Sequence, residues 1–223
     1  MSKGKLIVIE GLDSSGKETQ SKLLEKHISQ SGRMVKRVEF PNYKSDSSSL
    51  VKMYLGGTFG ENPDSVNPYA ASSFFAVDRY ATYKTDMEEF LSSGGIIIAD
   101  RYTTSNMIHQ ASKISDETER IGFLDWLYHF EYVLLGLPKP DKVIFLDMPM
   151  EISQKLMSER ANKIDGSDKK DIHESNKKYL ENTYNAAKIV SERYGWERVI
   201  CGKDGEPLPI EEISREVIKS AGV

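Results

Sequence analysis

The chain has 223 residues and a formal net charge of −4. That length can bury one sizeable core, and the acidic balance argues against a nucleic-acid-binding surface as its main business. A lone cysteine, Cys201, excludes an internal disulfide and fits a reducing cytosol, and no apolar stretch approaches membrane-spanning length.

Lys5 to Glu10 is a short apolar run with β-branched residues and reads as a buried parallel strand. It starts almost at once, leaving no room for a signal peptide. Thr19 to Ser31 carries Leu23, Leu24, His27 and Ile28 at helical spacing, with Gly32 as the stop. Met34 to Phe40 is a second strand, closed by Pro41, and Asp46 to Gly56 is helical. Asn67-Pro68 supplies an N-cap and a favoured first residue for a long helix towards Leu91, ended by Gly94-Gly95. Ile96 to Ala99 is a third strand. Residues from about Thr104 to Leu135 read as helix with one interruption, and Gly136 to Pro140 as a rigid turn. Lys142 to Asp147 is a fourth strand and Glu151 to Arg160 a short helix. Ala161 to Lys170 reads as a mobile loop, Ile172 to Tyr194 as helix, Glu197 to Cys201 as a fifth strand, and a last helix ends near Ala221. Strands alternating with helices imply an α/β sheet whose ligands gather at the strand C-terminal ends.

Between the first strand and helix lies Gly11-Leu-Asp-Ser-Ser-Gly-Lys17. This is the G-x-x-x-x-G-K phosphate loop, in the strand–loop–helix context its mechanism needs. Its backbone N–H groups point at an anion, and Lys17 neutralises terminal phosphates. The residue after Lys17 is Glu18, where a Mg²⁺-binding hydroxyl is the rule. Thr19 is no simple replacement, because one helical step turns a side chain by about 100°. Asp100-Arg101 follows the third strand: Asp100 is placed to bind Mg²⁺ directly or through water, and Arg101 to grip a phosphate.

Several segments together resemble the thymidylate kinase family of nucleoside monophosphate kinases: the loop with Glu10, Phe40-Pro41, Phe74 to Arg79, Asp100 to Asn106, and Gly136 to Asp141. The resemblance implies one domain over residues 1–223 with the three-layer α/β fold of P-loop NTPases. That fold has a five-stranded parallel sheet flanked by helices, with a short lid at about 160–172. It implies ATP-dependent phosphorylation of dTMP with Mg²⁺, in a cytoplasmic homodimer without nucleic-acid or membrane partners. ATP would bind Gly11, Leu12, Asp13, Ser14, Ser15, Gly16, Lys17, Glu18 and Thr19. The acceptor would bind Asp13, Phe40, Pro41, Phe75, Arg79, Arg101, Ser105, Asn106 and His109. Phe75 matches the family's thymine-stacking aromatic, Arg79 its base-reading arginine and Arg101 its acceptor-phosphate arginine. Catalysis would rest on Asp13, Lys17, Arg101 and a lid cation. Arg160 ranks first, ahead of Lys163, Lys169 and Lys170, and Glu18 and Asp100 are the metal candidates. Three positions depart from the family pattern: Glu18, His109 where many bacterial relatives have Tyr, and Leu156 where relatives often place an Arg over the adenine. Two other readings remain open: a different nucleoside monophosphate or deoxynucleoside kinase, and a nucleotide-binding regulatory module of low turnover.

Overall fold

The computed structural model describes residues 4–164, 173 and 177–223, without the side chains of 158–164 and 177. Its first strand is β1 (Lys5–Gly11), in which Leu6, Ile7, Val8 and Ile9 are all buried. Alternation sends them to opposite faces of the sheet. Ile7 and Ile9 pack with Leu24 and Ile28, whereas Leu6 and Val8 pack with Ile97, Ala99 and Met87. A strand needed on both faces has no polar side to spare, which explains the unbroken apolar run.

The other strands are β2 (Val35–Glu39), β3 (Ile96–Asp100), β4 (Lys142–Asp147) and β5 (Glu197–Ile200), in the order β2-β3-β1-β4-β5 and all parallel. The register sets Ile9 beside Asp100 and Gly11 beside Leu146, so the C-terminal ends of β3, β1 and β4 open together. Helices α1 (Lys17–Gln30) and α9 (Ile210–Ala221) cover one face, where Ile213, Val217 and Ala221 of α9 complete the core that α1 begins. Between them in sequence come α2 (Ser49–Leu55), α3 (Pro68–Thr82), α4 (Glu88–Ser92), α5 (Thr103–His109), α6 (Glu117–His129), α7 (Met150–Ile164) and α8 (Lys177–Arg193). On the second face α5 and α8 meet β4 through Ile108, Phe145 and Ala187. The expected three-layer α/β sandwich is the architecture found.

Local chemistry places the ends. Asn67 Oδ1 accepts from Ala70 N at 2.9 Å with Pro68 in the first turn of α3, as expected. Several boundaries differ from the sequence reading. The segment from Asp46 opens as a 3₁₀ turn (Asp46–Ser48) before α2. The helix expected from Asn67 to Leu91 passes through a π-helical turn at Tyr83–Met87, and α6 ends in another at Phe130–Leu134. β3 runs one residue further than expected, taking in Asp100. The loop expected from Ala161 is corrected, because α7 continues to Ile164. Residues 165–172, including Lys169 and Lys170, lie outside the described residues, as do the side chains of Arg160 and Lys163. His173 is in a turn, so the helix expected from Ile172 begins later. A hairpin absent from the sequence reading pairs Gly202–Lys203 with Glu206–Pro207. Asp204 and Gly205 at its tip have φ of 52° and 81°, the left-handed pair that an Asp-Gly turn provides.

Candidate active site

The loop between β1 and α1 has little room for side chains. A Cβ on Gly11 would lie 2.5 Å from Ser15 Oγ and 3.0 Å from the Leu146 carbonyl. Gly16 has φ of 89°, a conformation that suits glycine. No side chain caps the N-terminus of α1, so its first N–H groups are available to an anion at the loop. Lys17 is buried and its Nζ donates to the Leu12 carbonyl at 2.6 Å. Burial and the Arg101 charge bring its pKa down to about 8, against the pull of Asp13, Asp100 and Glu10. Ser15 Oγ is buried without a partner among the described residues. Glu18 extends along α1 and pairs with Lys22 one turn on, at 2.6 Å and half exposed.

Next to this loop stands Arg101, whose backbone has φ of 67°. A left-handed non-glycine residue persists only where its surroundings fix it. Its N–H donates to the Ile9 carbonyl at 3.1 Å, and its guanidinium is held from several sides. Nη2 pairs with Asp13, while Nη1 lies 3.3 Å from Ser105 Oγ, 3.4 Å from the Gly11 carbonyl, 3.5 Å from Glu10 Oε1 and 3.2 Å from His109 Nε2. Glu10 organises this end of the site. Its fully buried carboxylate takes the Gly11 N–H at 2.9 Å, Thr104 Oγ1 at 2.6 Å and Ser105 Oγ at 2.8 Å. Burial pushes the Asp13 carboxyl up, but Arg101 and Lys17 together hold it far below the usual carboxylate range. Burial raises Asp100, with Lys17 and Arg101 opposing.

Asp13, Phe40, Pro41, Phe75 and Arg79 line one pocket with Arg101, Ser105, Asn106 and His109. All nine residues expected on the acceptor side therefore share a cavity beside the phosphate loop. Phe40 packs edge-on to Tyr102, ring centroids 5.7 Å apart, and the Phe40–Pro41 peptide is cis. Phe75 meets Tyr54 edge-on at 6.1 Å. Arg79, though, is buried and tied to Glu131, with Nε to Oε2 at 2.7 Å and Nη2 to Oε1 at 2.5 Å. His109 is buried, and burial and the Arg101 charge hold its pKa well below the usual imidazole value. Its Nε2 accepts from Arg101, leaving Nδ1 to donate to Tyr179 Oη at 3.3 Å.

Three pocket-side residues escaped the sequence reading. Gln110 lines the pocket with both amide atoms buried and without a partner among the described residues. It lies one helical turn beyond Asn106, an i,i+4 relation that was available as a signal. His173 also lines the pocket; its ring stacks on His109 with centroids 5.8 Å apart, and its Nε2 lies 3.0 Å from Tyr54 Oη. Glu131 had no sequence signal, since a glutamate in a helical stretch ordinarily faces water.

Asp100 supplies a hard oxygen donor at the end of β3, beside the loop, which fits a divalent cation carried by phosphates. No group of three or more His, Cys, Asp or Glu residues forms a metal cage among the described residues. Such a cation would therefore need oxygens from a bound ligand or water. Asp147, at the end of β4, is instead held by Arg198 and Tyr184.

The thymidylate kinase family model matches residues 9–198. A thymidylate kinase from Mycobacterium tuberculosis is 28% identical over 204 residues, 91% of this chain and 93% of that one. The human thymidylate kinase is 30% identical over 148 residues, covering 66% and 63% of the two chains. The solved thymidylate kinase of Candida albicans superposes with a TM-score of 0.71 at 23% identity, covering 98% of this chain and 91% of that one. Phosphate loop, adjoining pocket and family match converge on one assignment, and the chain belongs to the thymidylate kinase family of phosphotransferases.

Proposed function

We propose that the chain transfers the γ-phosphoryl group of ATP to the phosphate of dTMP, giving ADP and dTDP. The observation that carries this reading is Arg101, which joins the phosphate loop through Asp13 to the pocket through Ser105 and His109. A donor site and an acceptor site on either side of one fixed cation are what in-line transfer between two phosphates requires.

ATP lies along Gly11 to Thr19. Lys17 exchanges its bond to the Leu12 carbonyl for phosphate oxygens. Arg101 holds the acceptor phosphate, and Asp13 fixes Arg101 and the acceptor's sugar–phosphate region. Phe75 stacks on the base, while Arg79, Asn106 and Gln110 meet its polar edge. Ser105 and His109 flank the sugar. Arg160, on α7, is assigned as the cation that completes the charge around the moving phosphate. Mg²⁺ supplies neutralisation of the phosphate oxygens when bound. Asp100 and Glu18 would hold it, Glu18 on exchanging its Lys22 partner for the metal. A Mg²⁺ titration of Glu18→Gln tests this: the magnesium requirement rises several-fold if the carboxylate contributes, and an unchanged requirement removes it from the metal site.

The enzyme is assigned to the cytoplasm, in keeping with its lone, buried thiol; no described helix is long and apolar enough to cross a membrane. It is assigned as a homodimer through the apolar residues that α3 and the turn after α6 leave exposed, among them Val77, Tyr80, Val133 and Leu134. Steady-state phosphorylation across dTMP, dUMP, UMP, CMP and AMP tests the function. The expected result is the highest kcat/KM with dTMP. A better acceptor among the others overturns the assignment.

A further inference from the structure

Glu131 has no exposed surface, and its partners Arg79, Thr103 and Asn106 all lie outside the phosphate loop. Its four hydrogen bonds account for both oxygens. Oε1 accepts from Arg79 Nη2 at 2.5 Å and from Asn106 Nδ2 at 3.1 Å; Oε2 accepts from Arg79 Nε at 2.7 Å and from Thr103 Oγ1 at 2.7 Å. Two of these partners, Arg79 and Asn106, also line the acceptor pocket. A charged pair sealed from water costs desolvation on both sides, and an apolar pair of similar volume often serves stability as well. Its value lies in what it fixes.

The fixing is directional. Asn106 Nδ2 also donates to the Ser72 carbonyl, at 3.2 Å. Both neighbours of that nitrogen, a carboxylate and a carbonyl, are acceptors only, so the amide has one chemically allowed orientation. Its NH₂ faces the protein, leaving the carbonyl Oδ1 as the edge available to a ligand. Arg79 spends Nε and one Nη2 hydrogen on Glu131; Nη1 donates one hydrogen to the Tyr102 carbonyl at 3.4 Å and keeps its second as a donor. The pocket wall thus presents a donor from Arg79 beside an acceptor from Asn106. A pyrimidine 2,4-dione offers the complement, carbonyl O4 beside N3–H. Cytosine offers the reverse at the same two positions, an amino donor beside an acceptor nitrogen, and would meet donor against donor and acceptor against acceptor.

We infer that Glu131 is a specificity-determining positioning residue: by holding Arg79 and Asn106 in one donor–acceptor order, it makes the pocket accept thymine and refuse cytosine. This rests on the proposed role of Arg79 and Asn106 as base readers. Glu131 does not touch the nucleotide.

The test uses Glu131→Gln and Thr103→Val. The glutamine amide accepts at one oxygen only and turns an NH₂ towards a neighbouring donor, so Arg79 or Asn106 loses its anchor. The valine removes one hydrogen bond and leaves the carboxylate. Dissociation constants for dTMP and dCMP are measured by calorimetry, dCMP by displacement, alongside kcat and KM. In Glu131→Gln, dTMP is expected to bind about tenfold more weakly and the preference over dCMP to shrink by about tenfold or more. The loss should appear chiefly in KM for dTMP, with KM for ATP within about twofold of the parent. Thr103→Val should move the preference in the same direction by a smaller factor, and it alone decides if Glu131→Gln does not fold. A ratio of dCMP to dTMP dissociation constants that stays at the parent value in the folded variants overturns the role of Glu131, even if both nucleotides bind more weakly. A parent enzyme that binds dCMP as tightly as dTMP overturns the base-reading assignment itself.

Discussion

Arg101 and Asp13 form an ion pair across the boundary between the phosphate loop and the adjoining pocket. The pair makes the position of one cation depend on the other site's wall. Arg101 is further enclosed by Glu10, Ser105 and His109, so its fork is set before any ligand arrives.

A lysine cannot copy that fork, because it offers a single point charge on a flexible stem. Arg101→Lys is expected to lower kcat/KM for dTMP by roughly 10²–10³-fold, with a much smaller change in KM for ATP. Steady-state kinetics with each substrate varied checks this. Equal losses towards both substrates would place Arg101 outside the acceptor site.

Lys17, with its pKa brought down to about 8, loses its charge within an accessible pH range. The charged form is the one that binds phosphate, so kcat/KM for ATP should fall as pH rises through about 8. Bound phosphates favour the ammonium, so the corresponding fall in kcat should lie at higher pH. In Lys17→Arg the descending limb should vanish, whatever activity remains. Coincident limbs for kcat and kcat/KM in the parent would refute the assignment.

His173 is held neutral in the folded protein: burial, with Lys113 and Arg101 nearby, brings its pKa down to about 3. The unfolded chain takes up a proton near pH 6.5, the folded chain only near 3. Stability contributed by the neutral ring is therefore fully present above pH 6.5 and is lost progressively as pH falls through this window. His109 acts with the same sign. The depressed Asp13 carboxyl adds its own loss only below the ordinary aspartate value of 3.8. Urea midpoints at about pH 5 and pH 7.5 should differ less for His173→Gln than for the parent. Parallel midpoints in the two proteins would sink this account.

Gln110 offers a test with two readouts of opposite sign. Its amide is buried without a described partner, a state that costs about 1–3 kcal/mol when nothing binds. Gln110→Leu should therefore melt at or above the parent temperature in the absence of ligand, while dTMP binds about tenfold more weakly. A variant that loses stability and keeps its affinity would show the amide to be structural.

The exposed apolar residues of α3 and the turn after α6 give the oligomer test. Leu134→Glu is expected to shift sedimentation from dimer to monomer at micromolar concentration, with the fold intact by circular dichroism. A monomeric parent at that concentration excludes the dimer.

How much of this was legible beforehand follows from the range of the interactions. β4 spans the residues its apolar run indicated, and Asn67 caps α3 as its type and position suggested, because both depend on neighbours in sequence. The phosphate loop was legible for the same reason. The π-helical turns at Tyr83 and Phe130 were not, since one extra residue per turn leaves little trace in helical periodicity. Glu131 was hidden because its burial depends on Arg79, 52 residues away, and no local pattern encodes that pairing. Arg79 matches the family's base-reading arginine by position, but that match did not show that Glu131 engages its Nε and one Nη2 hydrogen.

Glu10 and Glu131, two of the buried carboxylates around the site, belong to different parts of the scaffold. Glu10 is in the central strand, and Glu131 in a π-helical turn at the end of α6. The proposed grip on phosphate is thus inherited with the sheet, whereas the wall proposed to face the base hangs on a peripheral turn. Descendants of this chain could drift in which nucleobase they accept, through changes around that turn, without disturbing the machinery that moves phosphate.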